Sequence, residues 1–317
     1  GGLFGFQPGP VINAGNNGLF AAVSASNTNG VTGVKTGTSP LDIPCGVNGY
    51  VADADWYFPT QADGRIAANA VIWMQHGSLE DASTFAALAT QLARETNSIV
   101  VAPTITSFET TSLPGCFLGS PAMQAGAADM FFGDRAALTI SATAAGYQGR
   151  LPGSFLLAGH LDGVAFAAAV GALTVDNGAA TNLLGVVMVD GVADEALFAI
   201  SLAKLSSLGI PMYQIAGSPG TANGLGRTAA QLALLMPDQF IGVQIDTSAS
   251  DGLLSRAGAR DTATFAVGWI NDLYAAYGPT NPRFGIYGSP NDGTYVPSQP
   301  IVIGRGRATV LPILPPV

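Results

Sequence analysis

The sequence predicts an α/β fold, with a mostly parallel central sheet and helices on both faces. Three observations carry that prediction. Six short apolar runs recur along the chain, helix-length segments separate them, and the composition suits a large buried core. Of the 317 residues, 48% are hydrophobic and only 10% charged, against about a quarter charged in ordinary globular proteins. High hydrophobicity with low charge is the reverse of a disordered composition.

In chain order, residues 1–40 are rich in Gly, Asn, Ser and Thr and show little periodicity, so they are expected to form an irregular N-terminal arm. From Leu41 to about Gln61, two short β runs flank Gly49, in the pattern of an antiparallel pair. The apolar runs follow: "AVIWMQ" (70–75), "SIVVAPT" (98–104), "SFLLAG" (154–159), "LLGVVMVD" (183–190), "PMYQIAG" (211–217) and "FIGVQID" (240–246). Strands covered on both faces read as continuous apolar runs, and alternation with helices argues for parallel pairing through crossovers. Helix-length segments lie near 81–95, 121–145, 162–174, 193–208 and 224–236. A last helix is expected over 262–278, where Phe265, Ile270, Leu273, Tyr274 and Tyr277 recur at helical spacing. Residues 279–317 are rich in Pro and Gly and are expected to run as an extended C-terminal tail. The economical reading is one domain over 41–278 with two irregular ends.

Charge and cysteine narrow the function classes. The formal net charge is −9 with 12 Lys plus Arg, and no basic run offers a phosphate-backbone footprint, so nucleic acid is not an expected partner. Lys35 and Lys204 are the only lysines, which leaves little room for lysine chemistry. The apolar stretch 153–175 is interrupted by His160 and Asp162 between glycines. That pattern suits a strand, a turn and a buried helix better than a membrane span. The first residues, "GGLFGFQPGP", lack the basic and apolar regions of a secretory leader, as a processed secreted chain would. Cys45 and Cys116 both stand beside Gly or Pro in loop-like sequence and make a natural pair; two unpaired buried thiols are the alternative.

The most informative stretch is "GSFLLAGHLDGVAF". Here an apolar run meets Gly159-His160, a small residue returns at Gly163, and an Ala-rich segment follows. A sharp strand-to-helix turn needs small flanks so that strand and helix can approach. A second segment, "VIWMQHGSLEDASTFAALATQLA" (71–93), places His76-Gly77-Ser78 between a buried strand and a helix, and "VVMVDG" ends a strand on Asp190. In these features, over residues 41–278, the chain resembles the α/β-hydrolase superfamily, specifically its secreted actinobacterial esterase- and lipase-like branch. The resemblance implies an α/β-hydrolase fold with a nucleophile elbow at position 161. It further implies an oxyanion hole built from the backbone N–H groups of Asp162 and Ser78.

Measured against that pattern the catalytic machinery is degenerate. Leu161 stands where the nucleophile belongs and offers no hydroxyl, thiol or carboxylate. Asp162 is out of register for a carboxylate nucleophile, suits the first turn of a helix, and would oppose a developing oxyanion. Both histidines of the chain, His76 and His160, occupy frame positions. The loop that should carry the base holds Ser248, Ala249, Ser250 and Asp251. Asp190 occupies an acid position with no His to orient, and capping the next turn explains it equally well. A single engineered change at 161 would account for Leu161 but not for the missing base. The expectation is therefore a secreted, non-catalytic hydrolase-fold protein, acting in binding or as a cell-envelope or assembly component. Its pocket, made more apolar by Leu161 and Val164, would take a hydrophobic or acyl ligand, and its low charge suits self-association or an envelope partner. No cofactor or metal is called for. The alternative is an active carboxylic-ester hydrolase using other residues.

Overall fold

Six strands are built from the apolar runs: β5 (Ala70–Gln75), β6 (Ser98–Thr104), β7 (Phe155–His160), β8 (Leu183–Val189), β9 (Met212–Ala216) and β10 (Gly242–Ile245). Almost every residue in them is buried, because helices cover both faces of the sheet. The computed structural model describes residues 30–193, 195–246, 252–255, 258–288, 295–304 and 306–315, together with two short strands, β1 (Val11–Ala14) and β2 (Phe20–Val23).

The sheet has twelve strands in the order β1-β2-β11-β12-β10-β9-β8-β7-β5-β6-β4-β3, where β3 is Val31–Ile43, β4 is Tyr50–Gln61, β11 is Pro300–Ile303 and β12 is Gly306–Val310. From β6 to β10 every neighbouring pair is parallel. β4 joins β6 antiparallel on one side, and β12 joins β10 antiparallel on the other. This is the α/β-hydrolase fold that the sequence predicts.

Among the described residues, seven α-helices connect the strands. Helices α2 (Pro121–Asp129), α3 (Ala136–Ala144), α4 (Asp162–Asn177), α5 (Ala196–Ser207) and α6 (Arg227–Leu235) pack on one face. Helices α1 (Ala86–Thr96) and α7 (Gly258–Tyr274) pack on the other. Local sequence sets several of their ends. Ser120 caps α2 by accepting the Met123 N–H, with Pro121 in the first turn, where its missing N–H costs nothing. Asn97 closes α1 in the left-handed conformation. The segment read as one helix over 121–145 is two, broken at Gly133 and at Arg135, whose φ is 55°.

At both ends the structure is more regular than its sequence reads. β3 starts at Val31, inside the expected arm, and pairs with β4 along nearly its whole length. Its outer residues are Gly, Thr and Lys, and it borders the sheet, so no apolar alternation marks it. Within the expected tail, β11 and β12 form a hairpin that extends the sheet beyond β10.

The turn of the β3–β4 hairpin is tied to the loop before α2 by the Cys45–Cys116 disulfide, with Cα atoms 6.0 Å apart. Trp56, Tyr57 and Phe58 on β4 are core residues, and the Trp56 indole N–H donates to Ser141 Oγ at 2.9 Å. No helix among the described residues is long and apolar enough to cross a membrane.

Candidate active site

β5 lies between β6 and β7, so the chain leaves β5 to one side and later returns on the other. That reversal opens a crevice at the carboxyl ends of β5 and β7, which is where open α/β sheets place ligands. His76-Gly77-Ser78 follows β5 there, and Leu161 follows β7.

Leu161 sits at φ 52° and ψ −118°, a region that non-glycine residues enter only when their surroundings enforce it. Its N–H donates to the Val189 carbonyl at 3.1 Å, and its own carbonyl accepts from Val164 N–H at 3.0 Å, opening α4. The flanking glycines are obligatory. A Cβ on Gly159 would run into the Gly163 carbonyl, and one on Gly163 into the Gln75 carbonyl. The elbow is complete in backbone, with a hydrocarbon side chain at its apex.

Of the two oxyanion donors that the resemblance implies, the Ser78 N–H is already engaged. Asp162 occupies the first turn of α4, where a carboxylate suits the helix dipole. Its Oδ2 accepts the Ser78 N–H at 3.2 Å. The carboxylate thus stands where the resemblance implies that an oxyanion would be stabilised. The neighbouring Leu79 N–H, at φ 63°, donates to Ser107 Oγ at 2.8 Å.

Both imidazoles are tied to backbone or carboxylate partners. His76 is fully buried; its Nε2 accepts the Ile105 N–H at 2.9 Å, which leaves Nδ1–H to donate to the Gly77 carbonyl at 2.7 Å. Burial pushes its pKa down, outweighing the Gly77 carbonyl and the Glu80 and Asp81 charges that act the other way. His76 is therefore a neutral brace between the oxyanion loop and the loop after β6. His160 donates through Nδ1 to Glu80 Oε1 at 2.8 Å, and the same oxygen accepts the Gly77 N–H at 2.8 Å. Burial raises the Glu80 pKa, yet His160 and Gly77 together lower it more, and it ends below the usual carboxylate range. Among the described residues, neither imidazole has a hydroxyl partner.

Glu80 is the residue that sequence reasoning missed. It lies 80 positions from His160, and only its place four residues after His76 could have drawn notice.

Asp190 is a structural residue. It follows β8 at φ 51°, and its Oδ1 accepts Gly217 N–H and Asn223 Nδ2–H, both at 3.0 Å. Asn223, also unremarked in the sequence, further donates to the Gly217 and Ser218 carbonyls and accepts the Gly220 N–H. Residues 216–220 accordingly form a pinned turn at the end of β9. Ser248, Ala249 and Ser250 lie outside the described residues.

Beside the elbow is a cavity of about 340 Å³. Its apolar wall comes from Phe117, Leu118, Phe166 and Phe198, and Asp162 and Glu195 bring carboxylates to it. Leu161 and Val164, expected to make the pocket apolar, do not line it. Val164 points into the core, while Asp162, Ala165, Phe166 and Ala169 share the α4 face that meets the cavity. Among the described residues, no group of three or more His, Cys, Asp or Glu side chains could hold a metal ion.

Comparison with known proteins bears on the fold. The chain is similar to esterase Est22, at 12% identity over 75% of this chain and 80% of that one, with a TM-score of 0.53. It is also similar to brefeldin A esterase, described as a bacterial homologue of human hormone-sensitive lipase, at 12% identity, 78% and 79% coverage and a TM-score of 0.50. Carboxyl esterase 2 of the mycorrhizal fungus Tuber melanosporum aligns at 14% identity, 75% and 86% coverage and a TM-score of 0.50. No family model and no curated protein matches the sequence. The fold is that of the α/β hydrolases; at such identities the likeness extends to the fold alone.

Proposed function

We propose that this chain is a non-catalytic member of the α/β-hydrolase fold that binds a ligand in the cavity beside the elbow. The observation that carries the reading is the pairing of Leu161 at the apex with Asp162 Oδ2 on the Ser78 N–H. An ester hydrolase needs an attacking atom and an unoccupied donor for the oxyanion. The first is replaced by hydrocarbon, and of the two expected donors the Ser78 N–H already holds a negative charge. The aromatic wall favours a hydrophobic or acyl ligand. Asp162 and Glu195 repel a free carboxylate, so the acyl group would enter as an ester, amide or alcohol. A secreted or cell-envelope setting fits the disulfide, which persists where the medium is oxidising, and the low surface charge fits self-association or an envelope partner.

The second reading, an active carboxylic-ester hydrolase, draws on the intact Glu80–His160 pair beside the elbow. Incubation with p-nitrophenyl butyrate and a fluorophosphonate probe separates the two. The expected outcome is release at the buffer rate and no labelled serine, with saturable binding of monoolein and weaker binding of oleate. Saturable turnover with a labelled serine would establish the hydrolase instead.

A further inference from the structure

We propose that a second cavity, at the opposite end of the sheet from the elbow, binds a small uncharged aromatic ketone or a compound of like chemistry. The ligand's ring would lie in the apolar wall, and its acceptor oxygen would take the Tyr213 hydroxyl. This inference is independent of whether the elbow catalyses. The cavity measures about 510 Å³, within the range of small-molecule sites. Ile210 and Pro211 enter it just before β9, Met212 and Tyr213 from the start of β9, and Phe240 just before β10. It therefore opens at the amino ends of strands whose carboxyl ends point toward the elbow side.

Tyr213 is held rigidly. Its ring meets Phe240 at 5.5 Å and Tyr287 at 6.2 Å in edge-to-face contacts, and Trp269 at 5.4 Å in a tilted one. The residue is 5% exposed, yet its hydroxyl has no hydrogen-bond partner among the described residues. The neighbouring hydroxyls are bonded within the protein: Tyr287 donates to Asp272 at 2.8 Å, and Tyr295 to the Leu311 carbonyl at 3.0 Å. Tyr213 itself lines the cavity, which leaves its hydroxyl proton for whatever fills that space. Burial, with the Asp272 charge, pushes its pKa up, so it stays a donor, and the same surroundings disfavour an anionic ligand. The methionines Met212 and Met236 supply an adaptable apolar wall for a planar ring.

The test is calorimetric titration of the full chain with 2-acetylnaphthalene and, as a control, 2-isopropylnaphthalene, which has the same shape without the acceptor. The wild type should bind the ketone at least tenfold more tightly. Tyr213→Phe, which removes no protein hydrogen bond, should erase that difference while leaving the melting temperature within a degree or two. Thr280→Trp, at the exposed rim, should block both compounds. Absence of saturable ketone binding to the folded wild type would overturn the proposal. So would equal affinity for the two probes, or binding indifferent to both substitutions.

Discussion

On the proposed reading, Leu161 and Asp162 silence the elbow by two routes, and the two can be tested apart. Leu161→Ser restores a hydroxyl at the apex but leaves the Ser78 N–H on Asp162. Hydrolysis of p-nitrophenyl butyrate by that variant should stay at the buffer rate. Asp162→Asn weakens a charge-assisted hydrogen bond into a neutral one. Amide exchange at Ser78, read by NMR, should then quicken by about tenfold, corresponding to roughly 1.4 kcal/mol of lost protection. The elbow glycines and Leu161 were legible because each is a local rule about one turn. The Ser78–Asp162 and Glu80–His160 pairs were not, since 84 and 80 positions separate their members. Only the fold brings them together.

Elements show the same division. The buried strands β5 to β10 could be read directly, because helices on both faces demand uninterrupted apolar side chains. β11 and β12 could not, and β3 only from Leu41 onward: they sit toward the borders of the sheet, where short length in β11 and β12 and Gly, Thr and Lys in β3 remove the pattern. The C-terminal segment owes its course to α7. Asp272 is fully buried and accepts the N–H groups of Arg283, Phe284 and Gly285 and the Tyr287 hydroxyl. Asp272→Ala strands four donors in the interior and should cost on the order of 3 kcal/mol, measurable by urea unfolding. The loops after β5 and β6 respond to pH through His76. Its folded pKa lies below the unfolded value, so its contribution is complete above about pH 6.5 and falls as pH drops below that. Glu80, also lowered, begins to add to the loss near its unfolded pKa of about 4.3. Asp272, raised chiefly by burial, acts with the opposite sign, since its contribution is lost as pH rises through its folded pKa. Comparing wild type with His76→Gln cancels that contribution. The decline in melting temperature between pH 7 and pH 5.5 should be present in the first and absent in the second.

Across the whole molecule, the longest covalent constraint is the Cys45–Cys116 bridge, which closes a sequence separation of 71 residues. Cross-linking a loop of that length removes enough unfolded-state freedom to stabilise by about 4 kcal/mol in the chain-entropy model. Reduction should lower the midpoint of denaturant unfolding accordingly, with little change in slope. From the sequence the two thiols could be paired only by context. Their meeting depends on the β3–β4 hairpin turning back toward the loop before α2, a long-range consequence of sheet order.

The same bridge changes what a protease could accomplish. Residues 107–115, mostly exposed, lie inside the closed ring, next to Phe117 and Leu118 in the cavity wall. A cut there would free two new chain ends without separating the halves. The nicked molecule would migrate whole on a non-reducing gel and fall into two bands once thiol is added. Damage at the mouth of the elbow cavity would thus loosen the cavity wall while the scaffold stayed in one piece.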